Sequence, residues 1–562
     1  MSGRSVANNA SLDRSSRRWL AVLVSLFAIL FVIATAGAEG AGSGRNYYLS
    51  SDGDDAASGT SPEQPWRTLA RIGQAPLQPG DRILLRAGDS FAGQLVLGAS
   101  GASGAPGRPL RIGAYGEGPK PVIAGDGHAA AILIRNQQHI EISDLEITND
   151  IREPRPGEPA ERSFGIEVLN DGGGVLSHFR LERLTIRDVL VQRINDRTED
   201  DFNRVIISAI RFATSRVTDG KPAYFRDLVI ADNDISRSGR FGVQIGHAGI
   251  GTGRQDAHSR DPEAGFNRDI VIRGNRFADL GGSAVQLAGA RNALIEDNDF
   301  DRTGSSVVPG RMVGRGSGAW VINSRDIVAQ HNRSRQVRGY KDSYGMHVDY
   351  GNLNVLYQYN YSEESEGGFI EILGNNQNVI WRYNISVNDG LREKAGNTVW
   401  FSPFSQGTIP SSGIHIYNNT VFIRPGLYPD IDLRARDAVI RNNIFAVSRE
   451  AMIGEQLRIE LPGGLDLAGN LFAGRFNPDF VARDRQARMG APLFVQPGAS
   501  DPLGYRLRPG SPALGGGSAI RHPPFPAARQ GVFAHVTAEP TVDFFGTPLR
   551  TGGTDIGAVA PN

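Results

Sequence analysis

Two carboxylates near the middle of the chain have the residue types and the spacing for acid–base chemistry. Asp349 ends the segment Gly345 to Asp349, and Glu371 ends the similar segment Gly367 to Glu371, 22 residues later. If both segments are strands stacked in register, these side chains point outward on adjacent coils, with backbones about 5 Å apart. Two carboxylates so close repel each other, which raises the pKa of one of them. A separation of about 5–5.5 Å is typical of retaining glycosidases, which use one nucleophile and one acid/base.

The same alignment sorts the neighbouring side chains of three segments, the third being Thr398 to Ser402. The residues predicted to point into the core are Val348, Ile370 and Phe401. The residues predicted to point outward, besides the two carboxylates, are His347, Phe369, Trp400 and Ser402. A simpler interpretation stays open here, in which both carboxylates are solvated surface residues or share a cation.

Aromatic and ionisable residues are concentrated around this pair and are the candidates for binding substrate. Flat aromatic faces pack against the apolar faces of sugar rings, and Trp400 is the best-exposed candidate. Setting Gly318 on Gly345 places Trp320 level with His347. No metal ligand or cofactor is assigned. Calcium is an option at the acidic residues 196–201 of the predicted insertion 195–204, which a solvated loop explains more simply. The predicted substrate-binding residues are Lys341, His347, Tyr350, Glu366, Arg382 and Trp400.

The elements that must position these residues are indicated by a recurring asparagine. Its intervals are 42, 23, 34, 28, 24, 35, 24 and 27 residues, which mark a stacked-repeat architecture. The apolar runs between the asparagines are short and β-rich, so the sequence predicts an all-β fold, a right-handed parallel β-helix with three strands per coil. The asparagines are predicted to be structural, in the left-handed conformation at tight turns with stacked amides. They are Asn233, Asn275, Asn298, Asn332, Asn360, Asn384, Asn419, Asn443 and Asn470.

The chain is predicted to have four parts, beginning with an export segment. Arg14, Arg17 and Arg18 precede the apolar run 20–36 and a small-residue site ending at Ala38, as in a secretory signal. The body is therefore expected outside the cytoplasm, secreted or periplasmic, or anchored by that segment. The parts are residues 1–38 (signal peptide or membrane anchor), 39–125 (linker, N-terminal cap and first coils), 126–475 (β-helix) and 476–562 (C-terminal cap).

Composition narrows the range of partners. The formal net charge is zero, so no nucleic acid is expected, and membrane contact is expected only through the N-terminal segment. The absence of cysteine excludes disulfides and thiolate chemistry. A monomer that binds a polysaccharide or oligosaccharide is the predicted state.

The run from Gly345 to Gly390 resembles the core of secreted right-handed parallel β-helix carbohydrate-active enzymes of the pectate-lyase-like superfamily. Its Gln-Tyr-Asn, Glu-Gly-Gly-Phe and Arg-Tyr-Asn-Ile-Ser motifs carry that resemblance. More distantly, the run is similar to β-helical β-xylosidase-type glycoside hydrolases, and this similarity implies that Asp349 is the nucleophile and Glu371 the acid/base. The chain departs from the xylosidase pattern at Leu373-Gly374-Asn375, and Glu366 is a competing carboxylate.

These observations predict a retaining glycoside hydrolase and leave two alternatives open. One alternative is a polysaccharide lyase or uronate epimerase, which needs a base and a cation that neutralises the uronate. Lys341, Arg382, and His347 or Tyr344 could fill those roles. The other alternative is a non-catalytic carbohydrate-binding solenoid, because the parallel β-helix fold alone does not decide function.

Overall fold

The computed structural model describes residues 44–98, 103–194, 203–215, 222–246, 258, 266–394, 396–405, 407–550 and 554–560. Asn46–Asn562 forms one compact unit. The predicted export segment 1–38 and the acidic segment 196–201 lie outside the described residues. Where the structure describes the chain, no helix has the length and apolar character to span a bilayer.

Short segments of alternating apolar residues form the strands, because successive side chains of a strand point to opposite faces. The strand Ile140–Ser143 illustrates this pattern, since Ile140 and Ile142 are buried and the residues after each are partly exposed. Each coil supplies up to three strands, and each strand pairs in parallel with its equivalent on the next coil. The result is three long parallel sheets around one apolar core.

Sheet 1 contains 14 strands. They are β1 (Asn46–Leu49), β2 (Arg82–Arg86), β5 (Leu110–Tyr115), β8 (Ile140–Ser143), β11 (Gly174–Glu182), β14 (Ala223–Ala231), β17 (Asn267–Arg273), β20 (Ala290–Glu296), β23 (Arg325–Gln330), β26 (Leu353–Gln358), β29 (Gln377–Arg382), β34 (Ser412–Tyr417), β37 (Ala438–Arg441) and β40 (Leu465–Ala468).

Sheet 2 also contains 14 strands. They are β3 (Ser90–Ala92), β6 (Val122–Ala124), β9 (Glu146–Asp150), β12 (Thr185–Leu190), β15 (Asp234–Ser238), β18 (Arg276–Leu280), β21 (Asp299–Thr303), β24 (Arg333–Arg335), β27 (Tyr361–Glu363), β30 (Ile385–Val387), β35 (Thr420–Ile423), β38 (Ile444–Val447), β41 (Leu471–Ala473) and β42 (Arg488–Met489).

Sheet 3 contains 12 strands and carries the candidate site. They are β4 (Leu95–Leu97), β7 (Ala130–Arg135), β10 (Arg162–Asn170), β13 (Ile206–Thr214), β16 (Phe241–Gly246), β19 (Val285–Ala288), β22 (Ala319–Ile322), β25 (Met346–Val348), β28 (Gly368–Ile372), β31 (Asn397–Phe401), β36 (Asp430–Arg434) and β39 (Leu457–Glu460). A small antiparallel hairpin, β32 (Phe404–Ser405) and β33 (Gly407–Thr408), follows β31. Among the described residues, the helical elements with complete bounds are α1 (Pro478–Ala482) and the 3₁₀ turns Leu69–Gln74, Pro502–Tyr505 and Gly531–Phe533.

The recurring asparagines form a continuous ladder of amides at the turn between sheets 1 and 2. From Asn233 onward, each side-chain Nδ2 donates to the Oδ1 of the next asparagine at 2.9–3.0 Å. Asn470 ends the ladder by donating to Asp484 Oδ2 at 2.8 Å. The predicted structural role is confirmed, but the predicted conformation is wrong. The residue before each asparagine, such as Tyr359 with φ 57°, adopts the left-handed conformation, which leaves the amide free to point inward.

The C-terminal segment closes the core and also covers the outside of two sheets. Phe480 of α1 packs edge-to-face on Phe445 and Phe472 at the end of the core. Beyond α1, Phe494 and Tyr505 belong to an apolar cluster with the outer side chains of sheet 2. Another apolar cluster joins residues 520–549 to outer side chains of sheet 1 such as Leu356 and Ile380. The groove described below lies on sheet 3, and its lining residues all fall between 340 and 458.

Candidate active site

One outward row of side chains runs across four consecutive coils of sheet 3. Trp320 of β22 pairs with His347 of β25, and Glu371 of β28 pairs with Trp400 of β31. Val348 pairs with Ile372, so His347 and Glu371 are level with each other. The row therefore has the order Trp320, His347, Glu371, Trp400.

The predicted stacking of Asp349 directly on Glu371 is wrong by two residues. The coil between β25 and β28 has a length of 24 residues, and the neighbouring strands of sheet 1 and sheet 2 keep the same offset. A shift of two residues keeps a side chain on the same face of the sheet but moves it along the strand by one pleat repeat, about 7 Å. Asp349 lies just beyond β25 and is one pleat repeat away from the His347–Glu371 level. The interval of 24 between Asn360 and Asn384 was the sequence signal for the correct register.

Glu371 is sealed within the floor of the site. Glu371 is only 1% exposed to solvent, and its Oε2 has no hydrogen-bond partner among the described residues. Burial raises the pKa of Glu371 well above its usual value, and the charges of Asp342 and Asp349 raise it further. Burial therefore favours the protonated form of the Glu371 carboxyl over its ionised form.

His347 is buried as well. Burial lowers the pKa of His347 to about 4, and its Nδ1 shares a hydrogen bond of 2.9 Å with Ser317 Oγ. The Nδ1 atom lies 3.7 Å from Glu371 Oε2. Burial thus disfavours the charged form of both groups in this contact.

Asp349 has the acidity and the access that proton transfer needs. It is partly exposed, and Tyr350 N donates to its Oδ1 at 2.7 Å. Burial raises the pKa of Asp349 to about 7, with a further rise from the charge of Asp342, while the Tyr350 hydrogen bond and Arg315 lower it. Near neutral pH the carboxyl is divided between its protonated and ionised forms.

Asp342 is a third carboxylate of the site; the sequence places it near the pair, but strand-by-strand alignment assigns it no role. It lies on the loop before β25, is partly exposed and forms an ion pair with Arg315 Nε at 2.8 Å. Its charge raises the pKa of both Asp349 and Glu371, so the three carboxyl groups share one site. Asp342 and Ser343 have φ of 51° and 70°. Two consecutive left-handed residues outside glycine are uncommon, and this loop geometry cannot be predicted from the local sequence.

Two of the aromatic side chains predicted to face outward, Trp320 and Trp400, lie in the same outward row as Glu371, and the third, Phe369, does not. Trp400 is partly exposed and stacks on Tyr344 with ring centroids 6.3 Å apart, and Trp320 stacks on His347 at 5.6 Å. Phe369 was predicted to point outward, but it lies in the core, edge-to-face on Trp381 at 5.8 Å. Gly368, with φ 150°, interrupts the alternation at the start of β28, which explains the error.

A groove of about 860 Å³ adjoins these residues toward the C-terminal coils. Trp400, Asp342 and the predicted substrate-binding residue Lys341 line it. A volume of this size is within the range of small-molecule sites. Trp400 and Lys341 are therefore placed where a ligand could contact them.

The structure places the other predicted binding residues differently. Tyr350 is partly exposed beside Asp349, and its ring contacts Phe404 of the β32–β33 hairpin edge-to-face at 6.0 Å. Glu366 lies across the Tyr340 loop, where its Oε2 accepts a hydrogen bond of 2.9 Å from Gly339 N, and it lines a neighbouring cavity of about 720 Å³.

Arg382 is not part of the site, and its predicted contact with substrate is corrected. It belongs to β29 of sheet 1 and is fully buried under the C-terminal segment. Its guanidinium donates to Gln358 Oε1 at 2.8 Å, Ala538 O at 2.6 Å and Thr537 O at 2.9 Å. These contacts fasten the C-terminal segment to sheet 1. Within the described part of the chain, the candidate site included, no group of three or more His, Asp or Glu side chains is arranged to hold a metal ion.

Comparison with known proteins supports the fold. A family model described as "Right handed beta helix region" matches residues 223–386. The chain is similar to the lacto-N-biosidase of Bifidobacterium longum subsp. longum, with 28% identity over 490 residues; the match covers 73% of this chain, and the chain spans 30% of that relative's length. The crystal structure of a GH136 lacto-N-biosidase from Eubacterium ramulus is similar with a TM-score of 0.54 and 22% identity, covering 79% of this chain and 67% of that one. The predicted right-handed parallel β-helix is confirmed.

Proposed function

We propose that this protein is a glycoside hydrolase that cleaves a glycosidic bond of an oligosaccharide or polysaccharide with retention of configuration. The observation that carries the proposal is the convergence of Asp342, Asp349 and Glu371 beside a groove that Trp400 lines. Glycoside hydrolysis requires two carboxyl groups of unequal acidity, one protonated and one ionised. The similarity to lacto-N-biosidases supports the same class of reaction.

In this proposal Asp349 is the acid/base. A pKa of about 7 lets its carboxyl give a proton and take it back near neutral pH, and its partial exposure lets it reach the leaving oxygen. It first protonates the glycosidic oxygen as the bond to the anomeric carbon breaks. It then accepts a proton from the water that completes hydrolysis.

Asp342 is the nucleophile of the proposed mechanism. Its ion pair with Arg315 supports an ionised carboxylate, which attacks the anomeric carbon and forms a glycosyl ester. Water then breaks that ester and regenerates the carboxylate. The charge of Asp342 acts on the carboxyl of Asp349, as expected of two carboxyl groups that serve one active site.

This assignment differs from the roles that the β-xylosidase resemblance implied. Glu371 is too deeply buried to reach a leaving oxygen, so it is assigned a positioning role beside His347. Trp400, Tyr350 and Lys341 remain proposed contacts of the substrate, and Glu366 is a proposed contact only for a ligand that extends into its neighbouring cavity. His347 is proposed to orient Glu371.

The two alternatives are less well supported. The lyase interpretation needs a cation to neutralise the uronate, and one of its two candidates, Arg382, is buried on another sheet. A carbohydrate-binding solenoid has no need for carboxyl groups with raised pKa. We also propose that the protein acts as an extracytoplasmic monomer, secreted, periplasmic or anchored, since the export segment is readable in the sequence.

The test is product analysis with residues 39–562 and a panel of plant and bacterial glycans. Mass spectrometry in heavy-oxygen water should find products that have gained labelled water, and proton NMR should find the initial anomer retained. Unsaturated products without added water would show a lyase. Inverted products would exclude Asp342 as a nucleophile.

A further inference from the structure

The groove beside Asp342 is richer in cationic than in acidic side chains. The whole chain, in contrast, has 60 of each. Lysine is rare, with four in the chain, yet two of the four line this groove. The cationic residues of the lining are Lys341, Arg392, Lys394, Arg434 and Arg458, and the acidic ones are Asp342, Asp430 and Asp432.

Two of the three acidic side chains already have a cationic partner. Arg434 holds Asp432 through two hydrogen bonds of 2.8 Å, from Nε and Nη2 to the two carboxylate oxygens. Asp342 pairs with Arg315, which does not line the groove. Arg458 of the lining in turn pairs with Glu460 at 2.7 Å. The carboxylates of Asp342 and Asp432 are therefore already engaged by arginines other than Arg392.

Arg392 and Lys394 lack an acidic partner within the described residues. The Nη2 of Arg392 donates to Gly339 O at 2.9 Å and to Ser343 Oγ at 2.8 Å, and both of these acceptors are neutral. These bonds hold the guanidinium in place without cancelling its charge. Lys394 is exposed at the rim of the groove. No described carboxylate lies within ion-pair distance of either group.

We propose that this groove is a subsite for an acidic sugar, whose carboxylate or sulfate group is held by Arg392 and Lys394 while its ring lies against Trp400. A planar guanidinium matches the oxygens of a carboxylate or a sulfate, and a lysine adds a mobile point charge. The groove volume of about 860 Å³ accommodates a ligand of oligosaccharide fragment size. The inference rests on the proposed function, since it names the substrate class of the same site.

The test measures binding with the Asp349→Asn variant, so that no turnover complicates the affinity. A glycan array with uronate-containing, sulfated and neutral members identifies the best ligand of each kind. Calorimetry then compares each acidic ligand with its carboxyl-reduced or desulfated counterpart, which has the same sugar backbone without the charge. The acidic member should bind about tenfold more tightly, and the difference should shrink as salt is raised. The uronate and sulfate arms identify which anion the subsite takes.

Three further substitutions in that background locate the effect. Lys394→Met and Arg392→Gln should each weaken binding of the acidic ligand about threefold or more and spare the neutral counterpart. Lys394 is the cleaner probe, because Arg392 also supports the Gly339–Ser343 loop. Lys120→Met is the matched control, since Lys120 donates to Arg183 O and Thr185 Oγ1 on a different part of the solenoid. It should change neither affinity.

Equal affinity for acidic and neutral counterparts, or an equal loss in the Lys120 control, would overturn the subsite. Failure of the hydrolase proposal gives a different result. Tight binding of acidic glycans together with unsaturated products from the wild-type protein would keep the subsite and reject hydrolysis. Hydrolysis of neutral glycans without any charge preference would keep hydrolysis and reject the subsite.

Discussion

His347 Nδ1 lies 3.7 Å from Glu371 Oε2, and burial lowers the pKa of the imidazole and raises that of the carboxyl. Burial disfavours the ionisation of each, so the floor of the site favours a neutral imidazole beside a carboxylic acid. The charged groups that act on this floor are Asp342, Asp349, Arg315 and Arg392. In the proposed mechanism, a substrate bound over this floor receives its proton from Asp349, which lies one pleat repeat away from His347 and Glu371.

Replacing Glu371 by Gln should stabilise the protein increasingly as pH rises. The folded-state pKa of Glu371 lies above its unfolded value of 4.5. The unfolded chain therefore releases a proton that the folded chain keeps, and wild-type stability falls above that pH. Gln copies the protonated acid without this penalty. Chemical denaturation from about pH 6 to about pH 9 should show the variant gaining up to about 1.4 kcal/mol on the wild type per pH unit. A constant difference across that range would mean that Glu371 is ionised in the folded protein.

Replacing Asp349 by Asn should lower kcat about a thousandfold on natural glycans, because the leaving oxygen loses its proton donor. Aryl glycosides with acidic phenols as leaving groups need little protonation, so the variant should keep most of its activity on them in the glycosylation step. The matched variant Asp342→Asn should lose activity on both kinds of substrate. Rescue of Asp342→Asn and not of Asp349→Asn by such substrates would reverse the two roles.

The pH profile of kcat/KM should fall above about pH 7, since the acid form of Asp349 is lost through its pKa of about 7. Arg315 lowers that pKa, so Arg315→Gln should move the falling limb to higher pH. The measurement is kcat/KM against pH for both proteins on one neutral substrate. A limb that stays in place would mean that another group donates the proton.

Replacing Arg382 by Ala should destabilise the fold and leave catalysis unchanged. The substitution leaves two carbonyls of the C-terminal segment and the Gln358 side chain without their donor, which costs about 3 kcal/mol or more. Urea denaturation measures the loss, and KM and kcat below the transition test the site. A raised KM with unchanged stability would mean that Arg382 contacts the substrate after all, as the sequence predicted.

The local sequence was enough to predict the β-helix and most of the side chains that face outward. The register of the coils, the loop that carries Asp342 and the burial of Arg382 depend on contacts between distant parts of the chain. The asparagine intervals and short apolar runs were enough to predict coils and sheets. The alternation of apolar and polar residues could not reveal the two-residue error in the pairing of Asp349 with Glu371, because side chains two residues apart lie on the same face of a strand. Asp342 received no role from the sequence because it lies on a loop with left-handed geometry instead of on a strand. Arg382 was misplaced because its partners Thr537 and Ala538 are more than 150 residues away in the sequence.

All hydrogen bonds between the side chains of the asparagine ladder point in the same direction, and Asp484 accepts the last of them. Every amide in the ladder donates toward the C-terminal coil, so the side-chain dipoles add, with their positive ends facing Asp484. Aligned peptide dipoles in an α-helix favour an anion at the positive end in the same way. The carboxylate of Asp484 therefore acts as a counter-charge for a stack of dipoles made entirely of side chains. The stack is polar along the solenoid although the strands around it carry little net dipole.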